Sequence, residues 1–458
     1  MDENYDIFAL ANKGINLAQK DIRDLKCAEI FVGLNEYLNI EVEQNAIKHN
    51  EVGNEGGISI RVYNHYGSLG FAFTNILNAM SIEKIVKTAS KMMKAGSIDP
   101  DFIDLPAKSS RYPPVKGIYD KDIENLKIED SIIYLNDLID ECSKEQSAIS
   151  QSASFTSNNT KTFILNSNGI EIFSKETHFS IFSEITLKDD KTGEISNGFD
   201  YQIKRKINEI DARFIANNAL ENARNNLNRI KIKSKNLALI LSPRASIDLI
   251  LRPIAAAINA ETYQYKRSFL IDTIGQKLGS DFLNIEDNAL IDGAVGSSSH
   301  DEEGVACKNK KIFDKGVFLD TGLLHNSYTA GKEGIESTGN ATRKSYSSLP
   351  SIGITNFILK SGTISKDELI HSIKDGIFMH HTADSPNIST GDFSGLITQG
   401  NIIINGEIGS PLNETMFGLN LLDMFHKISA VSKEYHVYGA YYAPYVKIDD
   451  VKIIGSAN

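Results

Sequence analysis

At 458 residues the chain is too long for a single hydrophobic core, and two or three domains are expected. Hydrophobic residues make up 41% and charged residues 23%, ordinary values for a folded protein, and no apolar run approaches the roughly 20 residues of a membrane helix. A net charge of −11 without a basic cluster argues against nucleic acid as a partner, because phosphate neutralisation drives that affinity. Cys27, Cys142 and Cys307 are the only cysteines. Their wide spacing excludes a disulfide framework and a cysteine-rich zinc site. The acidic start, MDENYDIFALANKG, lacks the basic region of a secretory signal, so a cytoplasmic location is expected.

In chain order, Asp6 to Lys20 carries Ile7, Leu10, Ala11, Ile15 and Ala18 on one helical face. Strands are expected at 27–32, 38–42, 58–62 and 69–74, then a helix over 81–95 with Ser81 as its N-cap. A proline-rich connector fills 97–120. The next helix begins near Ile128, with Ile132, Leu135, Ile139 and Cys142 at i, i+3/i+4 spacing, which makes Cys142 a core residue. Hairpin signals at Asn168-Gly169 and Lys191-Thr192-Gly193 precede a helix over 210–227.

A new unit opens with the strand NLALILS and a helix entered at Ser242-Pro243, which Pro253 should kink or interrupt. The remainder reads as strands with two helices. One has the capping box Ser365-x-x-Glu368, and the other covers about 419–431. The expected fold class is α+β, with a two-part N-terminal half (1–110 and 118–230) and a strand-rich C-terminal domain (234–458).

The ten histidines form no His-x-x-x-His or His-x-x-x-x-His pattern of a metallopeptidase. Neighbours such as His380-His381 diverge on helix or strand, so a metal does not easily take both. The densest acidic run, His300-Asp301-Glu302-Glu303-Gly304, reads as a solvated turn, with a metal or general-acid loop as the sharper alternative. Neither a Gly-x-Ser-x-Gly elbow nor a phosphate loop is present.

Several stretches then point to a family. AEIFVGLNEYLNIEVEQNAIKHNEVGNEGGISIRVYNHYGSLGFAFTN is similar to the first domain of TldD/PmbA proteins, the "modulator of DNA gyrase" peptidases. SFLIDTIGQKLGSDFLNIEDNALIDGAVGSSSHDEEGV resembles the start of their C-terminal domain. STGNATR (337–343), STGDFSG (389–395) and INGEIGSP (404–411) follow in the family's order. The resemblance implies paired subunits that process small or unfolded peptides. In the TldD type, His-Glu-x-x-x-His and a C-terminal Cys bind zinc, and the TldE/PmbA type lacks these ligands. Here the His-Glu-x-x-x-His window holds Leu251, Arg252 and Ala256, none of which can coordinate zinc, and the last cysteine is Cys307.

The resemblance therefore implies a metal-free TldE/PmbA-type subunit that binds no cofactor of its own. Its expected partners are a TldD-type zinc subunit, in a heterodimer, and an extended peptide substrate. The stretch 343–362 is closer to the TldD pattern, which points to a divergent TldE. Asp301, Glu303, Thr338, Gly339, Asn340, Gly391 and Asp392 are the expected substrate-cavity residues. A stand-alone homodimeric peptide-binding or regulatory protein is the alternative. A metal enzyme built on His300, Asp301 or Glu303 with His325 has the least support.

Overall fold

The computed structural model describes residues 3–457. Met1, Asp2 and Asn458, at the ends of the first and last expected units, lie outside the described residues.

Helix α1 (Glu3–Asp21) buries Ile7, Ala11, Ile15 and Ala18 of the expected stripe, with Leu10 half-buried against the same core. Strands β1 (Leu25–Glu43) and β2 (Ala46–Asn64) are far longer than expected, each running unbroken for 19 residues. They turn at Gln44-Asn45, both with positive φ as a tight hairpin turn requires. The outer half of β2 is largely exposed, so it lacks the apolar alternation by which a strand is recognised. Strand β3 (Leu69–Thr74) completes this group. Helix α2 (Ala79–Ala95) begins earlier than expected, because Asn78 rather than Ser81 is the N-cap and accepts from Ser81 N. It lies so close to β3 that a Cβ on Gly70 would fall 1.9 Å from Ala89 O.

The connector leads through the single-turn α3 (Lys121–Glu124) to α4 (Ile128–Ser143), where Leu135, Leu138 and Cys142 are buried. Strands β4 (Ala148–Asn166), β5 (Glu171–Lys188) and β6 (Ile195–Lys204) follow, joined at the two expected hairpins, then α5 (Ala212–Arg224). All six strands form one sheet in the order β3-β2-β1-β4-β5-β6. β1 and β4 are paired from Glu29↔Asn166 to Glu43↔Ser152. Two cores lie along it. Ala28, Ile30 and Val32 of β1 pack with α1 and α2, whereas Leu38, Ile40 and Val42 of the same strand pack with α4 and α5.

The C-terminal domain is built on a 12-stranded sheet and holds the largest core. At its centre Lys235–Leu241 pairs in parallel with Asp375–His381 and antiparallel with Tyr441–Ile454. The capping box of Ser365 and Glu368 forms as expected, on a helix spanning Lys366–His371. The helix expected over 419–431 is confined to Leu421–His426. Asn420 caps it, and Ile428–Tyr438 pairs instead with Tyr441–Ile454, where β-branched Ile428 and Val431 fit a pleated surface. The α+β class and the strand-rich C-terminal half are as expected.

Candidate functional site

The window that the resemblance aligns with zinc ligands lies in the segment after Lys235–Leu241. Ser242 is its N-cap, accepting from Ala245 N, and Pro243 occupies the first helical position. The interruption predicted at Pro253 takes a definite form. The turn Ile247–Leu251 widens to π geometry, Arg252 N donates to Ile247 O, and α-helix resumes over Arg252–Ala257. A proline cannot donate its own i→i−4 bond, and a wide turn just before it absorbs that loss.

Leu251 faces the core and is fully buried, whereas Ala256 is half-buried. Arg252 points outward, and its Nη1 donates to Asp248 Oδ1 at 2.5 Å, one helical turn back. The other oxygen, Asp248 Oδ2, lies 3.0 Å from His381 Nδ1. The Arg252 guanidinium is 5.9 Å from the centre of the Tyr441 ring. A cavity of about 380 Å³ lies against Asp248, Arg252 and His381. A catalytic zinc needs three protein ligands placed around one point. The cavity offers one imidazole and two carboxylates, Asp248 already held by a guanidinium and Asp384 accepting from Leu396 N. Among the described residues no three His, Cys, Asp or Glu side chains converge to hold a metal. The residues present do not fit a zinc ion. Cys307 supplies no thiolate either, because burial pushes its pKa far up and its Sγ is bonded to Gly339 O.

The acidic run 300–304 is not solvated. Asp301 is buried and binds three backbone N–H groups, with Oδ1 accepting from Glu303 and Val305 and Oδ2 from Ala341. These bonds close the turn at Gly304, whose φ of +78° suits glycine. Glu303 is fully buried; it accepts from Arg61 Nη2 and Ser327 Oγ, each at 2.7 Å, and from Ser327 N at 2.8 Å. Arg61 also grips Glu29 with two bonds of 2.7 Å, and Arg343 Nη2 donates to Glu29 Oε1. Two guanidinium groups and two carboxylates thus neutralise one another where β1 and β2 meet the C-terminal domain. Burial raises the Glu303 pKa, but Arg61 and Ser327 outweigh it and hold the group below the usual carboxylate range. Glu302 differs, for burial pushes its carboxyl up to about 7.

Thr338, Gly339 and Asn340 form a buried turn. Thr338 Oγ1 accepts from His325 N, and Asn340 bonds Asp287, Gly353 O and Lys310. Asp301, Gly339 and Asn340 nevertheless line a cavity of about 370 Å³ together with Glu176 and His178 of β5 and Arg205 just beyond β6. His300 lies beside it, with Nδ1 at 2.9 Å from Asp301 O. Burial lowers the pKa of His178 and His300, leaving neutral imidazoles suited to hydrogen bonding. Gly391 and Asp392 sit elsewhere, against neither cavity. Asp392 is exposed, with Oδ1 accepting from Asn420 Nδ2 and its carbonyl accepting from Asn387 N.

The sequence reading missed Asp248, although its i, i+4 spacing from Arg252 was available as a signal. It also missed Glu29 and Arg61, which no local pattern connects to Glu303.

Family models match three consecutive stretches: PmbA/TldA metallopeptidase domain 1 over residues 28–93, the central domain over 121–227 and the C-terminal domain over 234–455. An uncharacterized protein of Methanocaldococcus jannaschii is 30% identical over 85% of this chain and 87% of its own length. A metalloprotease PmbA homolog of Buchnera aphidicola is 27% identical over 89% and 88%. The crystal structure of a candidate modulator of DNA gyrase from Bacteroides thetaiotaomicron superposes with a TM-score of 0.88 at 25% identity, covering all of both chains. TldE from Thermococcus kodakarensis shares the fold, with a TM-score of 0.85 at 22% identity over 97% of this chain and all of that one. Family models in unbroken order, a 30% identical relative and the superposed fold agree that this chain belongs to the PmbA/TldD metallopeptidase family.

Proposed function

We propose that this chain is the metal-free, TldE/PmbA-type subunit of a heterodimeric zinc peptidase. The observation that carries this reading is Arg252, held by Asp248 at the position where a metal subunit has its general base. A fixed positive charge there opposes a divalent cation, and Leu251 and Ala256 have no lone pair to offer. Catalysis then belongs to a TldD-type partner that carries the zinc. This chain helps to form the chamber and hold an extended peptide.

Strand addition is the natural mode of capture, because main-chain hydrogen bonds tolerate many sequences, and β3 and β6 are the edges of the first sheet. Asp301, Gly339 and Asn340 are its candidate substrate residues, through the cavity they line. The three free, buried cysteines suit a reducing cytoplasm. The test is reconstitution. The chain alone should lack stoichiometric zinc and peptidase activity, and adding a TldD-type partner should give a chelator-sensitive heterodimer. A partner equally active without this chain would refute the reading.

A further inference from the structure

Where α5 meets the C-terminal domain, a cleft of about 420 Å³ holds two cations that, among the described residues, form no ion pair with a carboxylate, although Asp248 and Asp200 attract Arg244 through space. The first is Arg244, in the turn after Ser242. Its guanidinium carbon lies 3.8 Å over the Phe199 ring and 5.9 Å from the centre of Tyr201. Stacking covers the face of the guanidinium and leaves its edge free. Among the described residues, nothing accepts a hydrogen bond from that edge or pairs with it. The second is Lys366, whose ammonium lies 5.4 Å from the centre of Tyr445 and 5.8 Å from that of Phe378.

The carboxylates of the cleft are engaged elsewhere or point to solvent. Asp200 accepts from Asn218 Nδ2, Glu434 accepts from the Lys366 backbone N–H, and Glu221 is exposed. His380 and His436 add no charge, because burial and the neighbouring Lys366 keep both neutral.

A half-buried guanidinium normally finds an acceptor, because withdrawing its N–H donors from water is costly. Cation–π contact offsets part of that cost but satisfies none of those donors. A planar fork matches a carboxylate or phosphate, and a flexible ammonium supplies a second point charge. The cleft falls within the roughly 300–1,000 Å³ of small-ligand sites, and its aromatic rings suit an apolar group beside the anion.

We propose that this cleft binds an oxyanion, carboxylate or phosphate, on a small ligand, with Arg244 and Lys366 holding the charge and Phe378 and Tyr445 flanking its apolar part. The proposal stands independently of the subunit role.

The test is calorimetric titration of the full chain with N-acetylphenylalanine, its amide and inorganic phosphate, repeated with Arg244→Gln and Lys366→Gln. The acid should bind saturably. The amide should bind about tenfold more weakly or worse, as loss of a charge-assisted hydrogen bond implies, and each variant should lose a similar factor. Acid binding without phosphate identifies a carboxylate ligand, and saturable phosphate binding alone identifies a phosphate ligand. No binding of either overturns the proposal, as does equal affinity for acid and amide without phosphate binding. Lys366 is half-buried on the surface of its helix, so Lys366→Gln carries the test if Arg244→Gln loosens the domain junction. Wild-type affinity in folded Lys366→Gln would also overturn it.

Discussion

Glu303 of the C-terminal domain and Arg61 of β2 lie 242 positions apart in the chain and make a fully buried contact of 2.7 Å. Because Arg61 also holds Glu29, and Glu29 receives Arg343, the contact is one link of a four-charge lock. A buried pair adds little net stability over an apolar replacement, but removing one partner strands the other. Glu303→Gln should therefore destabilise the chain by about 3–5 kcal/mol. The double variant Glu303→Gln/Arg61→Met should recover part of that loss. Urea unfolding reports both, and strictly additive losses would show that the two side chains are not coupled.

Glu302, next in sequence, predicts a pH effect of opposite sign. Burial raises its carboxyl from 4.5 to about 7, with the Arg343 guanidinium and N–H opposing the rise. Between those values the folded chain keeps a proton that the unfolded chain has released. Its contribution to stability thus falls as pH rises through that window and is constant above it. Glu302→Gln stays neutral and should flatten the fall. The Glu303 contribution runs the other way, present at neutral pH and lost in acid as that carboxylate takes up a proton. Urea midpoints from pH 4 to 8 test this, and identical pH slopes in wild type and Glu302→Gln would exclude it.

Restoring the letters of a zinc motif should not restore zinc. Leu251→His/Arg252→Glu/Ala256→His spells His-Glu-x-x-x-His, but position 251 faces the core and the π turn ends there. The triple variant should retain no stoichiometric metal after dialysis against a chelator and should be less stable than wild type. One tightly held zinc per chain would contradict the geometry.

Asp392→Ala should act on stability alone. The carboxylate bonds Asn420 beside Gly391, as a turn residue would. A fall of about 1 kcal/mol in unfolding free energy is expected, with kcat/KM of the reconstituted complex unchanged at full occupancy. A kinetic defect without a stability loss would return Asp392 to the cavity.

What could be read in advance was what local chemistry specifies. The α4 stripe through Leu135 and Cys142, the Ser365/Glu368 box and the Asn168-Gly169 hairpin each depend on residues within a few positions. The polar outer half of β2 was illegible, since most of its side chains from Ala46 to Glu55 meet water and show no apolar alternation. The run at 300–304 misled because a charged residue is normally solvated, and the compensating Arg61 belongs to a different domain. Around 419–431, hairpin pairing with the next strand, Tyr441–Ile454, overrode an apolar stretch that suits a helix equally well.

The single six-stranded sheet has a consequence for the proline-rich connector. Because β1 contributes one end to the core under α1 and α2 and the other to the core under α4 and α5, neither half can leave without tearing the β1–β4 ladder. Cutting the backbone between the two halves would therefore not separate them. The fragments would remain a non-covalent complex, and co-expressed as two polypeptides they should reassemble by completing each other's sheet.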